Sequence, residues 1–205
     1  MKLTAKWRRL GGLLVVAAML LAGLSALPAR QPAQASGVDA GATQPQQGNC
    51  QHDWFFRNVR PVTACPTGPA IGSEVAYLEF ERGTMFWVAM EDAIYVLYRD
   101  WQTPSWERYP DTWQESMPER DPSIVGPLGL WQQPRRGFGQ LWRTNPQVRQ
   151  RLGWALYEWE ATYTTLIQRA NTPEGPLVFF TDEDYKVYQL PAGAATGWDR
   201  FSFLG

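Results

Sequence analysis

The stretch that decides the fold is TMFWVAMEDAIYVLYRDWQTPSWERY, residues 84–109. Two runs rich in aromatic and β-branched residues flank a polar turn at residues 89–92. Such runs favour extended strands, and a polar break between them is typical of an antiparallel hairpin. A third short strand is expected around Trp106. The stretch therefore predicts a β-meander.

A second stretch, PLVFFTDEDYKVYQLPAGAATGWDRF at residues 176–201, has the same pattern. At an offset of 93 positions the aromatic residues of the two stretches coincide, and the aligned pairs are Phe86 with Phe179, Trp87 with Phe180, and Tyr95 with Tyr188. After one deletion Trp106 meets Trp198. This agreement predicts an internal duplication, about residues 71–113 and 152–203.

Neither meander alone has enough strands to be stable, so the two are expected to fold as one body, with one face of each buried against the other. Segment 114–134 lies between them, and its four prolines cannot donate hydrogen bonds to a sheet. We expect a mainly β (α+β) fold: two duplicated antiparallel β-meanders packed together, with a long Pro-rich wrap and one short helix between them.

The helix is predicted from RRGFGQLWRTNPQVRQRLGW, residues 135–154. Thr144 or Asn145 suits the N-cap, Pro146 suits the first turn, and Gly153 suits the position just past the end. These signals predict a helix of about two turns. The preceding glycines, at positions 137 and 139, lack the third glycine of a dinucleotide-binding loop, so that part is interpreted as a hinge.

The N-terminal residues have the pattern of an export signal. Basic residues precede an apolar run at residues 10–27, and a small-x-small motif follows at residues 33–35. This order indicates a signal peptide, residues 1–35, and the alternative is an uncleaved membrane anchor. Residues 36–49 contain no aromatic residue and are interpreted as a flexible linker. Residues 50–205 then form a single β-rich domain.

Charge argues against a nucleic-acid partner. Cleavage after residue 35 would remove five of the 19 basic residues and none of the 20 acidic ones, leaving a net charge near −6. Binding to nucleic acid needs a basic face that displaces phosphate counterions. Contact with a membrane is expected only through an uncleaved signal segment, if at all.

The two cysteines, Cys50 and Cys65, are expected to form a disulfide, because an exported chain meets an oxidising environment. A metal site is the weaker alternative, since His52 is the only histidine and no fourth ligand is evident. We expect no metal and no cofactor.

The sequence predicts no enzyme. It has no Gly-x-Ser-x-Gly motif, and His52 lies in the entry segment of the domain. A glycosidase would need two carboxylates at a defined separation, and many candidates are present: Glu74, Glu79, Glu81, Glu107, Asp111, Glu115, Glu158 and Glu160. Their pattern does not single out a pair, so no catalytic residue is assigned.

Tryptophan is the remaining chemical feature. Trp101, Trp106 and Trp113 are separated by polar and turn residues, so they could present open ring faces on which sugars stack. They are the candidate ligand-binding residues. The alternative is that these rings fill the core, where large aromatic residues commonly supply buried area.

The chain resembles a known module over nearly all of its mature length. The elements FERGTMFWV, AIYVLY, GFG.LWR.NP and RLGWA, between Phe80 and Ala155, are similar to an uncharacterised tryptophan-rich module of exported bacterial envelope proteins. The pattern of a small residue and a glycine that precede FERG.M.W is distantly similar to the LGFP repeats of cell-envelope proteins. The Phe-Pro pair of that repeat is absent here. The resemblance implies an envelope setting and contact with glycan, and it carries over no catalytic residue.

Two functions follow as hypotheses. The first is a non-catalytic exported envelope module that binds cell-wall or other polysaccharide. The second is a protein-interaction or structural module of the cell envelope with no glycan ligand, which would present a contiguous apolar patch. In both cases the chain is expected to be extracellular or associated with the envelope, with an envelope glycan or an envelope protein as its partner.

Overall fold

The computed structural model describes residues 50–56, 64–127, 132–192 and 197–203. The predicted signal peptide, 1–35, and linker, 36–49, lie outside the described residues. The described part falls within one compact unit. In that part of the chain, no helix has the length and hydropathy needed to cross a membrane.

Within the described ranges, eight strands form one antiparallel curled sheet, which confirms the mainly β fold class. The strands are β1 Ile71–Phe80, β2 Gly83–Val88, β3 Ala93–Tyr98, β4 Trp106–Pro110, β5 Ala161–Thr172, β6 Gly175–Thr181, β7 Lys186–Pro191 and β8 Asp199–Ser202. Two helices, α1 Arg136–Thr144 and α2 Pro146–Leu152, lie between β4 and β5, and one 3-10 turn spans Ala89–Glu91. The strand order is β4-β3-β2-β1-β5-β6-β7-β8.

The sheet consists of two meanders, β1–β4 and β5–β8, joined by pairing between β1 and β5, which we call the seam. The seam pairs run from Ile71 opposite Ile167 to Tyr77 opposite Ala161, with Glu74 opposite Thr164 at the midpoint. Each meander has four strands where the sequence predicted three. The missed strands are the two at the seam, which carry several polar residues. That the halves arose by duplication stays a prediction.

The alignment of the two halves was wrong by one position in β2 and β6. Phe86 pairs with Tyr95, and Phe180 pairs with Tyr188, so Phe180 and not Phe179 is the counterpart of Phe86. The cause is the connection between the paired residues: eight residues separate Phe86 from Tyr95, whereas seven separate Phe180 from Tyr188. A slip of one residue moves a side chain to the other face of a sheet, and Phe179 indeed packs on the opposite face.

The inner faces of the two meanders share one core. Phe86 lies with its ring centroid 5.1 Å from those of both Phe180 and Tyr188, so side chains from both halves interlock. Trp106 and Trp198 join the same cluster from the start of β4 and the residue before β8. The sheet therefore curls so that its two halves bury one face together.

The outer face of the first meander is covered by the two helices, where one was predicted. Helix α2 has the predicted ends: the Asn145 side chain accepts a hydrogen bond from the Val148 amide at 3.2 Å, and Gly153 is the C-cap. Helix α1 lies in the supposed hinge. Its glycines are needed for close packing, because a Cβ on Gly137 would lie 2.6 Å from a carboxylate oxygen of Asp111.

The Pro-rich wrap packs on helix α1 through polar contacts. The Arg143 guanidinium donates to the carbonyl oxygens of Pro118, at 3.1 Å, and Glu119, at 3.0 Å. The side-chain amide of Gln133 accepts a hydrogen bond from the Asp121 backbone N–H at 2.7 Å and donates one to the Asp121 carbonyl oxygen at 3.1 Å. These bonds and one isolated β-bridge between Gln132 and Ala155 hold the described part of the wrap in place.

The outer face of the second meander is covered by the entry segment, residues 50–56 and 64–68. The predicted disulfide is present, with the Cα atoms of Cys50 and Cys65 5.3 Å apart. Phe56 packs against Phe179 of β6, with a ring-centroid distance of 4.8 Å. Buried Gln168 bonds the Asp53 and Gly68 carbonyls, both at 2.9 Å, so the segment is fixed by polar and apolar contacts.

Candidate functional site

A bulge beside β1 forms the most distinctive surface of the domain. Ala155 bridges to Phe80, and Ala161 pairs with Tyr77, so five residues on one side oppose two on the other. The three extra residues push segment 157–160 out of the sheet. Bulges are common beside functional sites because they redirect side chains. Here the bulge directs aromatic and acidic side chains to the surface.

An open groove of about 640 Å³ lies between the bulge, β1 and the turn after β6. Tyr157 and Trp159 project from the bulge and remain 59% and 54% exposed. The residues that line the groove are Tyr77, Leu78, Glu79, Tyr157, Glu158, Trp159, Glu160, Ala161 and Glu183. Three aromatic rings and four carboxylates therefore meet in one concave surface.

Trp159 is held in place from behind. The Arg135 guanidinium lies 3.7 Å from the centre of the Trp159 ring and also forms an ion pair with Glu158. Arg120 contacts the same Glu158 carboxylate at 2.7 Å, and this hydrogen bond is the main reason why the pKa of Glu158 lies below its usual value. The cation covers one face of the indole and orients it, which leaves the other parts of the ring open to solvent.

The opposite wall of the groove is also ordered by hydrogen bonding. The Tyr77 hydroxyl donates to Glu183 at 2.5 Å, and this bond raises the pKa of Tyr77 to about 12. Glu79, two residues along β1, lies 3.8 Å from Arg99. The wall thus carries Glu79 from β1 and Glu183 from the turn after β6, and Glu183 is held by its hydrogen bond from Tyr77.

Trp101, the first predicted ligand-binding residue, lies outside the residues that line the groove and is fully exposed. Its φ of 60° places it in the left-handed region, which a bulky residue rarely adopts. The flanking residues hold it there: Asp100 forms two hydrogen bonds with Arg151, at 2.7 Å and 2.8 Å, and the Gln102 carbonyl accepts a third at 3.2 Å. The loop therefore presents a single indole from a braced backbone.

Trp106 and Trp113 have different environments from Trp101. Trp106 packs in the shared inner core, with its ring centroid 6.1 Å from that of Tyr95, so its face is not an open platform. Trp113 is half-buried, and its buried Nε1 has no hydrogen-bond partner among the described residues. The three predicted rings are thus not one exposed set.

A second cluster of ionisable groups is structural. Glu91 forms an ion pair with Arg169 across the halves and another with Arg108 at 3.2 Å, and it accepts a hydrogen bond from Tyr95 at 2.6 Å. Burial alone would raise the pKa of Glu91, but the bonds from Arg169, Tyr95 and Arg108 outweigh it and lower the pKa. Every oxygen of this carboxylate is already occupied, so the cluster braces the fold.

Sequence reasoning overlooked the two central residues of the groove. Tyr157 and Trp159 alternate with two glutamates in the motif YEWE, an unusual run ahead of a polar strand. That motif could have been singled out, but its position opposite Tyr77 and Glu183 depends on the bulge. Among the many carboxylates considered for glycosidase chemistry, the structure brings Glu79, Glu158 and Glu160 to this groove. Within the described ranges, no group of three or more histidine, cysteine or acidic residues is arranged to hold a metal ion.

Comparison with known proteins found no matching family model, no matching curated protein and no matching solved structure. The resemblance to a tryptophan-rich envelope module therefore stays a prediction, and function must be argued from the groove itself.

Proposed function

We propose that the chain is a non-catalytic, exported module of the cell envelope that binds polysaccharide in the groove beside the bulge. The observation that carries the proposal is the pair of exposed rings, Tyr157 and Trp159, in an open groove next to fixed carboxylates. Aromatic faces can stack on sugar rings, and carboxylates can accept hydrogen bonds from sugar hydroxyls.

Two further features support this proposal. The disulfide between Cys50 and Cys65 is compatible with an oxidising, extracellular environment, as export would require. The groove is open to solvent and could admit part of a long chain, which suits a polymer better than an enclosed small molecule. We also propose that the two similar halves of the sheet arose from an internal repeat.

The test is binding of the purified chain to cell-wall polysaccharide and to defined oligosaccharides, measured by calorimetry. Trp159→Ala is expected to weaken binding by about tenfold, equal to about 1.4 kcal/mol, because it removes a stacking surface. Trp101→Ala is the matched control, since it removes an exposed indole outside the groove. Trp101→Ala should retain the wild-type thermal midpoint, and Trp159→Ala should stay folded with a midpoint lowered only by the lost contact with Arg135.

The outcomes separate two binding surfaces. Loss of binding in Trp101→Ala with full binding in Trp159→Ala would move the site to the braced loop. Absence of binding by the wild-type chain at millimolar oligosaccharide would reject the proposal.

The second candidate function, a protein-interaction module, is favoured by Trp101 alone. A fully exposed indole on a braced loop resembles the aromatic anchors that dominate many protein interfaces. A contiguous apolar patch would strengthen it, but Ile71 and Leu166, two exposed apolar residues at the seam, occupy adjacent register positions and therefore project from opposite faces. We therefore rank polysaccharide binding first.

A further inference from the structure

The charge of the groove bears on which polysaccharide it would hold. Four carboxylates line it, and the lining residues in the described part of the chain include no lysine and no arginine. Glu158 is balanced by Arg120 and Arg135 from outside the groove, and Glu79 lies 3.8 Å from Arg99. Glu160 and Glu183 have no ion-pair partner among the described residues. The groove therefore has an excess of negative charge.

The excess charge lies beside the exposed rings. Glu160 belongs to the same bulge as Tyr157 and Trp159, and Glu183 is fixed on the facing wall by its 2.5 Å bond from Tyr77. A protonated amine would gain charge-assisted hydrogen bonds from such carboxylates and attraction to the ring faces. Trp159 already holds the guanidinium of Arg135 on one side, which orients its ring for stacking on the sugar and leaves the amine to pair with the carboxylates.

We infer that the aromatic groove, with Glu160 and Glu183 on its opposite walls, selects a polysaccharide that carries free amino groups over its acetylated and anionic counterparts. This inference rests on the proposed function and adds the chemical class of the ligand. The protonated amine pairs with the unbalanced carboxylates, and the sugar ring lies against Tyr157 and Trp159. An acetylated amine has no charge to pair, and an anionic sugar meets repulsion.

The experiment compares oligosaccharides of equal length that differ only in N-acetylation, chitosan and chitin hexamers, at two salt concentrations. The wild-type chain is expected to bind the aminated hexamer at least tenfold more tightly, with the difference shrinking at high salt. Glu160→Gln and Glu183→Gln should each remove most of this preference. Glu115→Gln, an exposed glutamate outside the groove, is the control and should leave the preference unchanged.

The contrary results are distinct. Equal affinity for both hexamers, with Trp159→Ala weakening both, would overturn the charge inference and leave the proposed function standing. No binding of either hexamer or of cell-wall polysaccharide would overturn both. Equal loss in all three glutamine variants would mean attraction by the overall acidic surface, which also overturns the inference.

A lysine hexamer serves as a charge-only probe. It should bind less tightly than the aminated hexamer, and equal or tighter binding would overturn the assignment to a glycan.

Discussion

The Trp106 indole donates a hydrogen bond of 2.8 Å from Nε1 to the carbonyl oxygen of Pro191, at the end of β7 in the other half of the sheet. Trp198 makes the reciprocal contact, from its Nε1 to the Tyr98 carbonyl at 2.9 Å at the end of β3. Tyr98 and Pro191 are themselves 93 positions apart, the offset that relates Tyr95 to Tyr188. The two halves are thus joined by a matched pair of bonds. Trp106, expected from sequence to be a ligand platform, acts as a clamp between the halves.

Replacement of either clamp residue by phenylalanine should destabilise the fold. Trp106→Phe keeps an aromatic ring but removes the donor, so the Pro191 carbonyl loses its bond, and Trp198→Phe does the same to Tyr98. Each change is expected to cost about 1–3 kcal/mol of unfolding free energy, measured in urea. Trp101→Phe is the control and should cost nothing measurable, because Trp101 is fully exposed. Unchanged stability in both clamp variants would show that the bonds are replaceable by water.

The ion pair between Asp100 and Arg151 should make stability depend on pH. The hydrogen bond from Arg151 lowers the pKa of Asp100, and the two side chains are only 9% and 6% exposed. Because the pKa of Asp100 is lower in the folded state than in the unfolded state, the ion pair contributes its full stability above the unfolded pKa, near 3.9. This stability is lost as the pH falls through the pKa of Asp100 in the folded state. Asp100→Asn should cost about 3 kcal/mol at pH 7. The urea midpoints of the wild type and of Asp100→Asn should converge as the pH falls below 4. A difference between the two midpoints that does not change with pH would contradict this prediction.

Gly83→Ala should be strongly destabilising although the change is small. A Cβ at this position in β2 would lie 2.5 Å from Cδ2 of Leu152 and would also overlap the Leu97 carbonyl oxygen. The expected cost is about 2–4 kcal/mol, because backbone and helix α2 must both shift. Gly72→Ala, also within a strand, has nothing within 4 Å of its added atom and serves as the matched control. Thermal unfolding of the two variants side by side measures the difference.

Loss of the disulfide should loosen the entry segment before the sheet unfolds. The bond closes a loop with a sequence separation of 15, which corresponds to about 3 kcal/mol of unfolding free energy. The Cys50→Ser, Cys65→Ser double variant should lose about this amount in urea titration. Hydrogen exchange should show early loss of protection at the Phe55 amide, which bonds the side chain of Gln168 at 3.0 Å. Protection equal to that of the wild type would show that Gln168 and the aromatic contacts suffice.

Local patterns predicted the parts of the fold that depend on nearby residues. The alternation of aromatic and aliphatic residues predicted the hairpins, and Asn145, Pro146 and Gly153 predicted helix α2 because capping is a contact within one turn. Helix α1 was missed, since glycines are poor helix formers and here serve tight packing against Asp111 and Pro134. The paired residues Phe180 and Tyr188 are one position closer along the chain than their counterparts in β2 and β3. This difference could not be found without the observed pairing of Phe180 with Tyr188.

The candidate site was less predictable because it depends on long-range contacts. The exposure of Trp101 agrees with its polar neighbours, but the partial burial of Trp106 follows from the curl of the sheet, which brings β7 to its indole. Trp159 gave a local signal, yet its value as a binding residue depends on Arg135 behind it and Glu183 across from it. Both partners lie more than twenty residues away in the sequence.

The seam has a consequence for the order of folding. Val75 pairs with Tyr163, 88 positions further along the chain, whereas Phe80 pairs with Gly83 only three positions away. Closing the long loop costs more chain entropy before any contact is gained, so hairpins should form rapidly and the seam late. Until the seam closes, β1 and β5 each expose an unpaired strand edge that can pair with another copy of the chain. The rate of pairing between β1 and β5 therefore sets how long the chain is open to aggregation.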